Sequence, residues 1–172
     1  MTSVVVPDRS AMHALGERLA TLLVAGDLVV LTGELGAGKT TLTQGIGRGL
    51  KVRGQVTSPT FVVARVHPST VGGPALVHVD AYRLGSALEV DDLDLDASLD
   101  ESVTVVEWGE GKVDDLAPDR LLLRIVRPSG AWPDGTRERA TDDDSEPRTV
   151  TLTGVGARWA DVGLDLVVGG GP

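Results

Sequence analysis

The sequence contains no cysteine and no asparagine, and its aromatic residues are limited to three Trp, one Tyr and one Phe. The absence of cysteine excludes disulfide bonds and thiolate metal sites. The absence of asparagine excludes the N-K-x-D loop with which many GTPases read guanine. The three histidines, His13, His67 and His78, are scattered along the chain and give no pattern for a histidine-ligated metal.

Long apolar runs and an excess of positive charge are also missing. No segment approaches the roughly 20 apolar residues of a membrane helix, and Met1 to Asp8 lack the basic region and apolar stretch of a secretory signal. We therefore expect a cytoplasmic protein without membrane contacts. The formal net charge of −9 opposes an extended nucleic-acid surface, because phosphate backbones are bound by clustered Lys and Arg. Any role in RNA metabolism is expected to run through a partner.

The length of 172 residues suits one α/β domain and is short for two ordinary ones. We expect a single domain over residues 1–172, monomeric when alone. Residues 129–148 are rich in Pro, Gly and charge, which predicts a mobile loop. The glycine-rich tail at 169–172 is expected to be disordered.

The most specific chemical signal is a match to the phosphate-loop pattern G-x-x-x-x-G-K-[ST]. It reads Gly33, Glu34, Leu35, Gly36, Ala37, Gly38, Lys39 and Thr40. Glycines allow consecutive backbone N–H groups to turn inward and cradle phosphate oxygens. Lys39 adds positive charge near the β- and γ-phosphates, and the Thr40 hydroxyl is the expected Mg²⁺ ligand. A helix beginning here would direct its positive dipole end at the same anion, so the sequence predicts a nucleoside triphosphate site.

The flanks of this loop favour a functional motif over a chance match in a glycine-rich turn. The apolar run Leu28–Leu31 before it is typical of a buried parallel strand. After it, Leu42, Ile46 and Leu50 stand at helical spacing. Three glycines weaken that helix, so we expect tertiary packing to hold it.

The other apolar runs predict an α/β fold with a mixed, largely parallel central sheet. Asp8 or Ser10 is expected to cap a first helix. Its apolar stripe is Met12, Leu15, Leu19, Leu22 and Leu23. Further strands are predicted at 4–6, 61–66, 75–80, 103–106, 121–126 and 149–152, with 61–66 and 75–80 forming a hairpin and 86–101 a short surface helix and loop. With the phosphate loop, these elements indicate a P-loop NTPase-like, three-layer fold.

Two acids follow apolar strands and are candidates for orienting Mg²⁺ or the attacking water. Asp80 ends one strand, and its carboxylate would emerge beside the phosphate loop if that strand neighbours Leu28–Leu31. Glu107 ends the strand 103–106 in the same manner. The alternative is that either acid is a solvated strand-end residue.

The segment Thr57–Thr60 follows the phosphate-loop helix. Nucleotide-binding proteins often carry a switch segment at this position. Thr60 is the candidate hydroxyl, and a plain turn in which Pro59 fixes φ is the alternative.

Four motifs together resemble the TsaE (YjeE) family, in order and at similar separations. They span residues 33–41, 58–61, 78–84 and 106–108. The resemblance covers about residues 8–127, with weaker similarity at Arg158 and Trp159. It implies a bacterial ATPase that acts with the TsaB–TsaD pair in attaching a threonylcarbamoyl group to adenosine beside the anticodon of tRNAs reading A-starting codons. Contact with tRNA is implied only through that pair.

The resemblance also implies roles for individual residues. ATP contacts would run from Gly33 to Thr41, with additional contacts from Thr60, Asp80 and Trp108. Thr40, Asp80 and Glu107 would serve Mg²⁺, with Asp80 as the Walker B acid, and Lys39, Asp80 and Glu107 are the candidate catalytic residues. Trp108 is expected near the nucleotide or a partner surface, or else it is a packed strand-end aromatic.

Three departures from the family pattern affect this transfer. Met12 stands where family members often carry Thr near the adenine, which leaves the base contacts open. The loop from Ser129 to Arg148 is longer than usual. Glu34 replaces a more frequent Asp, at a position that contributes backbone to the cradle.

Two alternatives use the same cradle. A small-molecule kinase needs an acceptor pocket and an arginine-bearing lid, which Arg137, Arg139 and Arg148 could mimic. A nucleotide-dependent binding module would use ATP to order a surface, with negligible turnover. The sequence places no arginine as a finger, so slow turnover is expected for the isolated chain.

Overall fold

The computed structural model describes residues 1–59, 63–84, 99–127 and 146–169. Its strands are β1 (Thr2–Val6), β2 (Leu28–Thr32), β3 (Ala64–His67), β4 (Ala75–Asp80), β5 (Ser102–Glu107), β6 (Arg120–Val126) and β7 (Arg148–Val155). Its helices are α1 (Arg9–Ala20), α2 (Lys39–Gly49) and the short α3 (Asp165–Val168), with a 3-10 turn at Ala157–Trp159. Within these described ranges, no helix is long and apolar enough to cross a membrane.

The seven strands form one mixed sheet in the order β1-β7-β6-β2-β5-β4-β3. The central strands β6, β2, β5 and β4 run parallel to one another, whereas β7, β1 and β3 pair antiparallel at the two sides. The predicted mixed sheet and the β3–β4 hairpin are confirmed. β2 lies at the centre of the sheet, and its residues Leu28 to Leu31 are fully buried because apolar side chains face both sides.

Apolar clusters cover both faces of the sheet. On one face, Val29 and Leu31 belong to a cluster that includes the buried residues of α1 and α2. On the other face, Leu28 and Val30 pack in a second cluster, to which connecting segments contribute Leu99 and Val113. The helix predicted within 86–101 falls largely on residues 85–98, which lie outside the described part of the chain.

Helix α1 is capped by one of the two residues predicted for this role. Asp8 is the cap, and its Oδ1 accepts a hydrogen bond of 2.8 Å from the backbone N–H of Ala11. Met12, Leu15 and Leu19 are buried as expected. The helix ends at Ala20, so the last two leucines of the predicted stripe follow it in the chain.

Helices α1 and α2 pack backbone against backbone, which explains the glycines in α2. A Cβ on Gly16 of α1 would lie 2.5 Å from the carbonyl oxygen of Leu42, and a Cβ on Gly45 would overlap the carbonyl oxygen of His13. A Cβ on Gly49 would lie 2.4 Å from the Cβ of Ala20 and 2.9 Å from the carbonyl oxygen of Glu17. The prediction that tertiary packing holds this helix is therefore correct, and the glycines that weaken the helix also permit that packing.

β4 is not the neighbour of β2, which was the condition for placing Asp80 directly beside the phosphate loop. β2 pairs with β5 and β6, and β5 lies between β2 and β4. The strand next to the phosphate-loop strand is therefore the one that ends in Glu107. Asp80 lies one strand further away, at the register position opposite Glu107.

Two strand boundaries also differ from the prediction. β3 begins at Ala64, and Val63 before it has a left-handed φ of 67°, while residues 61–62 lie outside the described residues. Arg148, expected in a mobile loop, is the first residue of β7, where it is buried and pairs with Val6. Residues 129–145 of that loop and residues 170–172 of the tail predicted at 169–172 lie outside the described residues.

The contact between the helices predicts that Gly45→Ala destabilises the chain. We expect the free energy of unfolding to fall by about 1–3 kcal/mol, the usual cost of overpacking, even though alanine favours a helix by roughly 1 kcal/mol. Urea unfolding would measure the change. Gly73→Ala is the matched control, because the nearest atom to its Cβ is Ser69 Oγ at 3.5 Å. Equal losses in the two variants would contradict the packing role.

Candidate functional site

The phosphate loop, residues 33–40, connects the end of β2 to the first turn of α2. Its three glycines, Gly33, Gly36 and Gly38, have φ angles of 149°, 74° and 108°, a region that favours glycine. A Cβ on Gly33 would also lie 2.5 Å from the carbonyl oxygen of Ile125 in β6. The glycines are thus required both by the backbone conformation and by the close approach of the neighbouring strand.

The N-terminus of α2 faces a cavity without a side-chain cap. Gly38 is the N-cap residue, and no side chain among the described residues caps the first turn. The first N–H groups of a helix have no partner within the helix, and the helix dipole places partial positive charge there. An 11-residue helix whose N-terminus opens on a cavity in this way favours a bound anion.

Lys39 lies at the base of this cavity and is almost fully buried. Its Nζ donates hydrogen bonds to the carbonyl oxygens of Gly33 at 2.8 Å and Glu34 at 2.9 Å. Burial lowers the pKa of Lys39, while the nearby carboxylates of Glu107 and Asp80 act in the opposite direction. The ammonium group is therefore held close to two acids in a desolvated position.

Trp108 covers Lys39. The Lys39 Nζ lies 3.8 Å from the centroid of the indole ring, a cation–π geometry, and the centroid of the Tyr82 ring lies 5.1 Å from that of Trp108. Trp108 has a left-handed φ of 63°, and its backbone N–H donates a hydrogen bond to the carbonyl oxygen of Leu31. This uncommon backbone conformation directs the ring over the phosphate loop.

Glu107 connects β5 to α2 and β4 through one carboxylate oxygen. Thr40 Oγ1 donates to Glu107 Oε1 at 2.9 Å, and His78 Nε2 lies 2.8 Å from the same oxygen. Glu107 is buried, which excludes the alternative that it is a solvated strand-end acid. Because both contacts use Oε1, the second oxygen, Oε2, is the one available to a ligand in the cavity.

Asp80 lies beyond Glu107 at the same edge of the sheet. It is 6% exposed, so it is not a solvated strand-end residue either. Its Oδ1 accepts a hydrogen bond of 3.0 Å from the backbone N–H of Tyr82, an interaction that fixes the carboxylate against the turn after β4. Asp80 and Glu107 therefore lie side by side. The sequence analysis did not predict that β4 and β5 are neighbours.

These residues surround one cavity of about 280 Å³, near the lower end of the range for small-molecule sites. It is lined by the predicted residues Leu35, Gly36, Gly38, Lys39, Thr40, Thr41, Asp80, Glu107 and Trp108. Gly33 and Glu34 line a second, more open cavity of about 700 Å³, which Trp108 also lines, and Ala37 is buried in the core. Thr60 lies outside the described residues, although Ser58 of the same segment does line the cavity.

The cavity wall also contains residues that the sequence analysis did not place there. Asp8, Arg9 and Arg148 line it, together with Met12, the residue that the family pattern put near the adenine and whose Cε would lie 3.3 Å from a Cβ on Gly38. The signal for Arg148 was its position in phase with Val150 and Leu152, the buried residues of an alternating strand. Arg9 and Arg148 thus bring guanidinium groups to the cavity wall, although the sequence placed no arginine as a finger.

Arg127 contacts the phosphate loop from the end of β6. Its Nη2 donates a hydrogen bond of 2.6 Å to the carbonyl oxygen of Gly36, and its Nε lies 3.8 Å from a carboxylate oxygen of Glu146. This contact engages one loop carbonyl oxygen, which suits a loop that must present N–H groups to an anion.

Comparison with known proteins gives a consistent result. The family model described as "Threonylcarbamoyl adenosine biosynthesis protein TsaE" matches residues 6–135. The chain is 61% identical over 159 residues to the tRNA threonylcarbamoyladenosine biosynthesis protein TsaE of Streptomyces coelicolor, covering 92% of this chain and 100% of the relative. It is 35% identical over 147 residues to the Bacillus subtilis protein of the same name, covering 85% and 81%. The crystal structure of Bacillus subtilis YdiB superposes with a TM-score of 0.67 at 28% identity, covering 96% of this chain and 90% of that one.

The burial of Lys39 predicts a pH dependence of stability. Because its pKa is lowered on folding, the unfolded chain binds that proton more tightly, and the free energy of unfolding rises with pH between the folded pKa and the ordinary value of 10.5. The parent should therefore gain stability relative to Lys39→Met across that window. Urea unfolding over the alkaline range would measure the gain, with the exposed Lys51→Met as control. A difference that stays constant with pH would contradict the role of burial.

Proposed function

The chain belongs to the TsaE family of threonylcarbamoyl adenosine biosynthesis proteins, and we propose that it contributes to this biosynthesis as a Mg²⁺-dependent ATPase acting with the TsaB–TsaD pair. The observation that carries the proposal is the meeting of three features in one cavity: the uncapped N-terminus of α2, the ammonium group of Lys39 and the Thr40–Glu107 hydrogen bond.

Phosphate binding is the first step that these residues support. The N–H groups at the start of α2 would donate to the phosphate oxygens, and the helix dipole adds to the attraction. Two of the three N–H donors of Lys39 contact loop carbonyls, and the ammonium group provides positive charge beside the β- and γ-phosphates. Arg9 and Arg148 add further positive charge to the cavity wall.

The donor set in the cavity fits Mg²⁺. Thr40, Glu107 and Asp80 offer hydroxyl and carboxylate oxygens, the hard ligands that this ion prefers, and in phosphate sites it takes the rest of its ligands from phosphates and water. Thr40 donates its hydroxyl proton to Glu107, which leaves the oxygen lone pairs of Thr40 free to coordinate. Bound Mg²⁺ would neutralise charge that develops on the phosphates during transfer.

Hydrolysis also needs a group that orients the attacking water. Asp80 is the candidate, because it lines the cavity one strand beyond Glu107 and its carboxylate is held by the Tyr82 N–H. Trp108 also lines the cavity, and its ring covers the ammonium group of Lys39. Met12 of α1, which also lines the cavity, would contact the nucleoside. Thr60 of the switch segment would approach the γ-phosphate.

The partner supplies what this chain lacks for its role on tRNA. With a net charge of −9, the chain has no excess of the Lys and Arg that hold nucleic acid, so tRNA would be reached through TsaB–TsaD. We expect that pair to order or complete the site, and we expect the free chain to be a monomer in the cytoplasm with slow turnover.

Substitution of Lys39 and Glu107 separates binding from turnover. Lys39→Ala should abolish tight ATP binding, because Lys39 is the only lysine among the described residues that line the cavity. Glu107→Ala should reduce turnover by about 100-fold or more, as losses of charge stabilisation at a transition state do, and should weaken binding much less. Calorimetric titration with ATP and a phosphate-release assay would measure the two effects. Parent turnover in Glu107→Ala, with partners present, would contradict the assignment of Glu107.

Stimulation by partners tests the place of the chain in the biosynthesis. We expect ATP hydrolysis by the purified chain with Mg²⁺ to rise at least about tenfold when TsaB–TsaD is added, if the partner completes a charge-stabilising site. The Lys39→Ala variant with the same partners controls for contaminating ATPases. Equal rates with and without the pair, with ATP binding intact, would contradict the proposal and would favour a small-molecule kinase or a binding module.

A further inference from the structure

His78 is a polar residue in the middle of the otherwise apolar strand β4. It is 0% exposed, and it shares a face of the sheet with Leu76 and Asp80 because alternate residues of a strand point the same way. A histidine in an apolar core costs free energy unless its polar atoms are satisfied. The mechanism proposed above gives His78 no task.

The side chain of His78 has one close polar partner among the described residues. Its Nε2 lies 2.8 Å from Glu107 Oε1, while its Nδ1 has no hydrogen-bond partner in that part of the chain. Because a carboxylate oxygen accepts hydrogen bonds, the hydrogen of the ring must be on Nε2. His78 therefore donates to Glu107, and of the two residues only Glu107 lines the cavity.

The hydrogen bond from His78 constrains an oxygen that is already engaged. Thr40 Oγ1 donates to the same Oε1 at 2.9 Å, so two donors from different elements, α2 and β4, hold one oxygen of a carboxylate carried by β5. Two donors on one oxygen define the plane of the carboxylate as well as its position. Neither donor binds the remaining oxygen, Oε2, of this cavity-lining residue.

We propose that His78 is a positioning residue that holds Glu107 Oε1 so that Oε2 is presented to Mg²⁺·ATP in the cavity. This inference rests on the proposed function only in taking the cavity as a Mg²⁺–nucleotide site. It assigns His78 to the shell of groups that orient a ligand, a shell whose loss commonly costs 10- to 100-fold in metal affinity or activity.

The test compares His78→Gln with His78→Leu. The amide nitrogen of Gln can occupy the place of Nε2 and donate to Glu107, whereas Leu fills the space without a donor. The measured quantity is the ratio of the ATP dissociation constants without and with Mg²⁺, obtained by calorimetry. We expect this ratio to fall about tenfold in His78→Leu and to stay close to the parent value in His78→Gln.

His67→Leu is the matched control. His67 is also buried and lies on the neighbouring strand β3, and burial lowers its pKa, which favours the neutral ring. Its replacement should leave the Mg²⁺ dependence of ATP binding unchanged. If His78 had a purely structural role, His78→Leu should keep the ratio of dissociation constants better than His78→Gln, because Leu packs better in an apolar core than Gln.

A parent-like ratio in folded His78→Leu would overturn the proposal, as would equal losses in the Leu and Gln variants. If His78→Leu does not fold, His78→Asn replaces it, since its shorter amide cannot reach Glu107, and the same contrast with Gln is expected. Crystal structures of the variants give a second readout: the Glu107–Thr40 contact should persist in the Gln variant and be lost in the other. Mg²⁺-dependent binding without hydrolysis in the parent would refute the ATPase function and still test His78.

Discussion

The parallel register of β2 and β5 is the constraint on which the site depends. It pairs Leu31 with Glu107, so the phosphate loop and the acid leave the sheet at the same edge. Parallel strands end at a common edge, and ligands of open α/β sheets bind there. Once Glu107 is beside the loop, the hydrogen bond from Thr40 ties it to α2, and the cavity forms between the sheet edge and the first helical turn.

Much of this arrangement could be predicted from local patterns. The loop, the strand before it and the helix after it follow from residues 28–50 alone, since glycine, lysine and threonine at fixed spacing have few other uses. The cap of α1 by Asp8 and the mixed sheet also follow from local signals. Each of these features depends on residues close together in sequence, which is where propensity and periodicity carry information.

The rest depends on contacts between distant residues. Strand order is set by packing, so nothing in 76–80 or 103–107 revealed that β5 lies between β2 and β4. Arg148 was assigned to a loop because the segment before it is charged and rich in glycine, although its burial follows the alternation of β7. The glycines of α2 were judged as a weakness of the helix, because the facing glycine of α1 is a property of two elements together. The alternative of a packed aromatic was equally open for Trp108, whose place over Lys39 is a tertiary fact.

The direct backbone contact between α1 and α2 has a mechanical consequence. Where two helices touch through side chains, rotamer changes can absorb small shifts, but glycine against a carbonyl oxygen leaves nothing to rotate. The two helices are therefore expected to behave as one stiff body that carries both Met12 and the first turn after the phosphate loop. Any adjustment of the cavity to ligands of different size is therefore expected from lining residues outside these two helices, such as Ser58 and Trp108, and those residues set the tolerance for bulkier ligands.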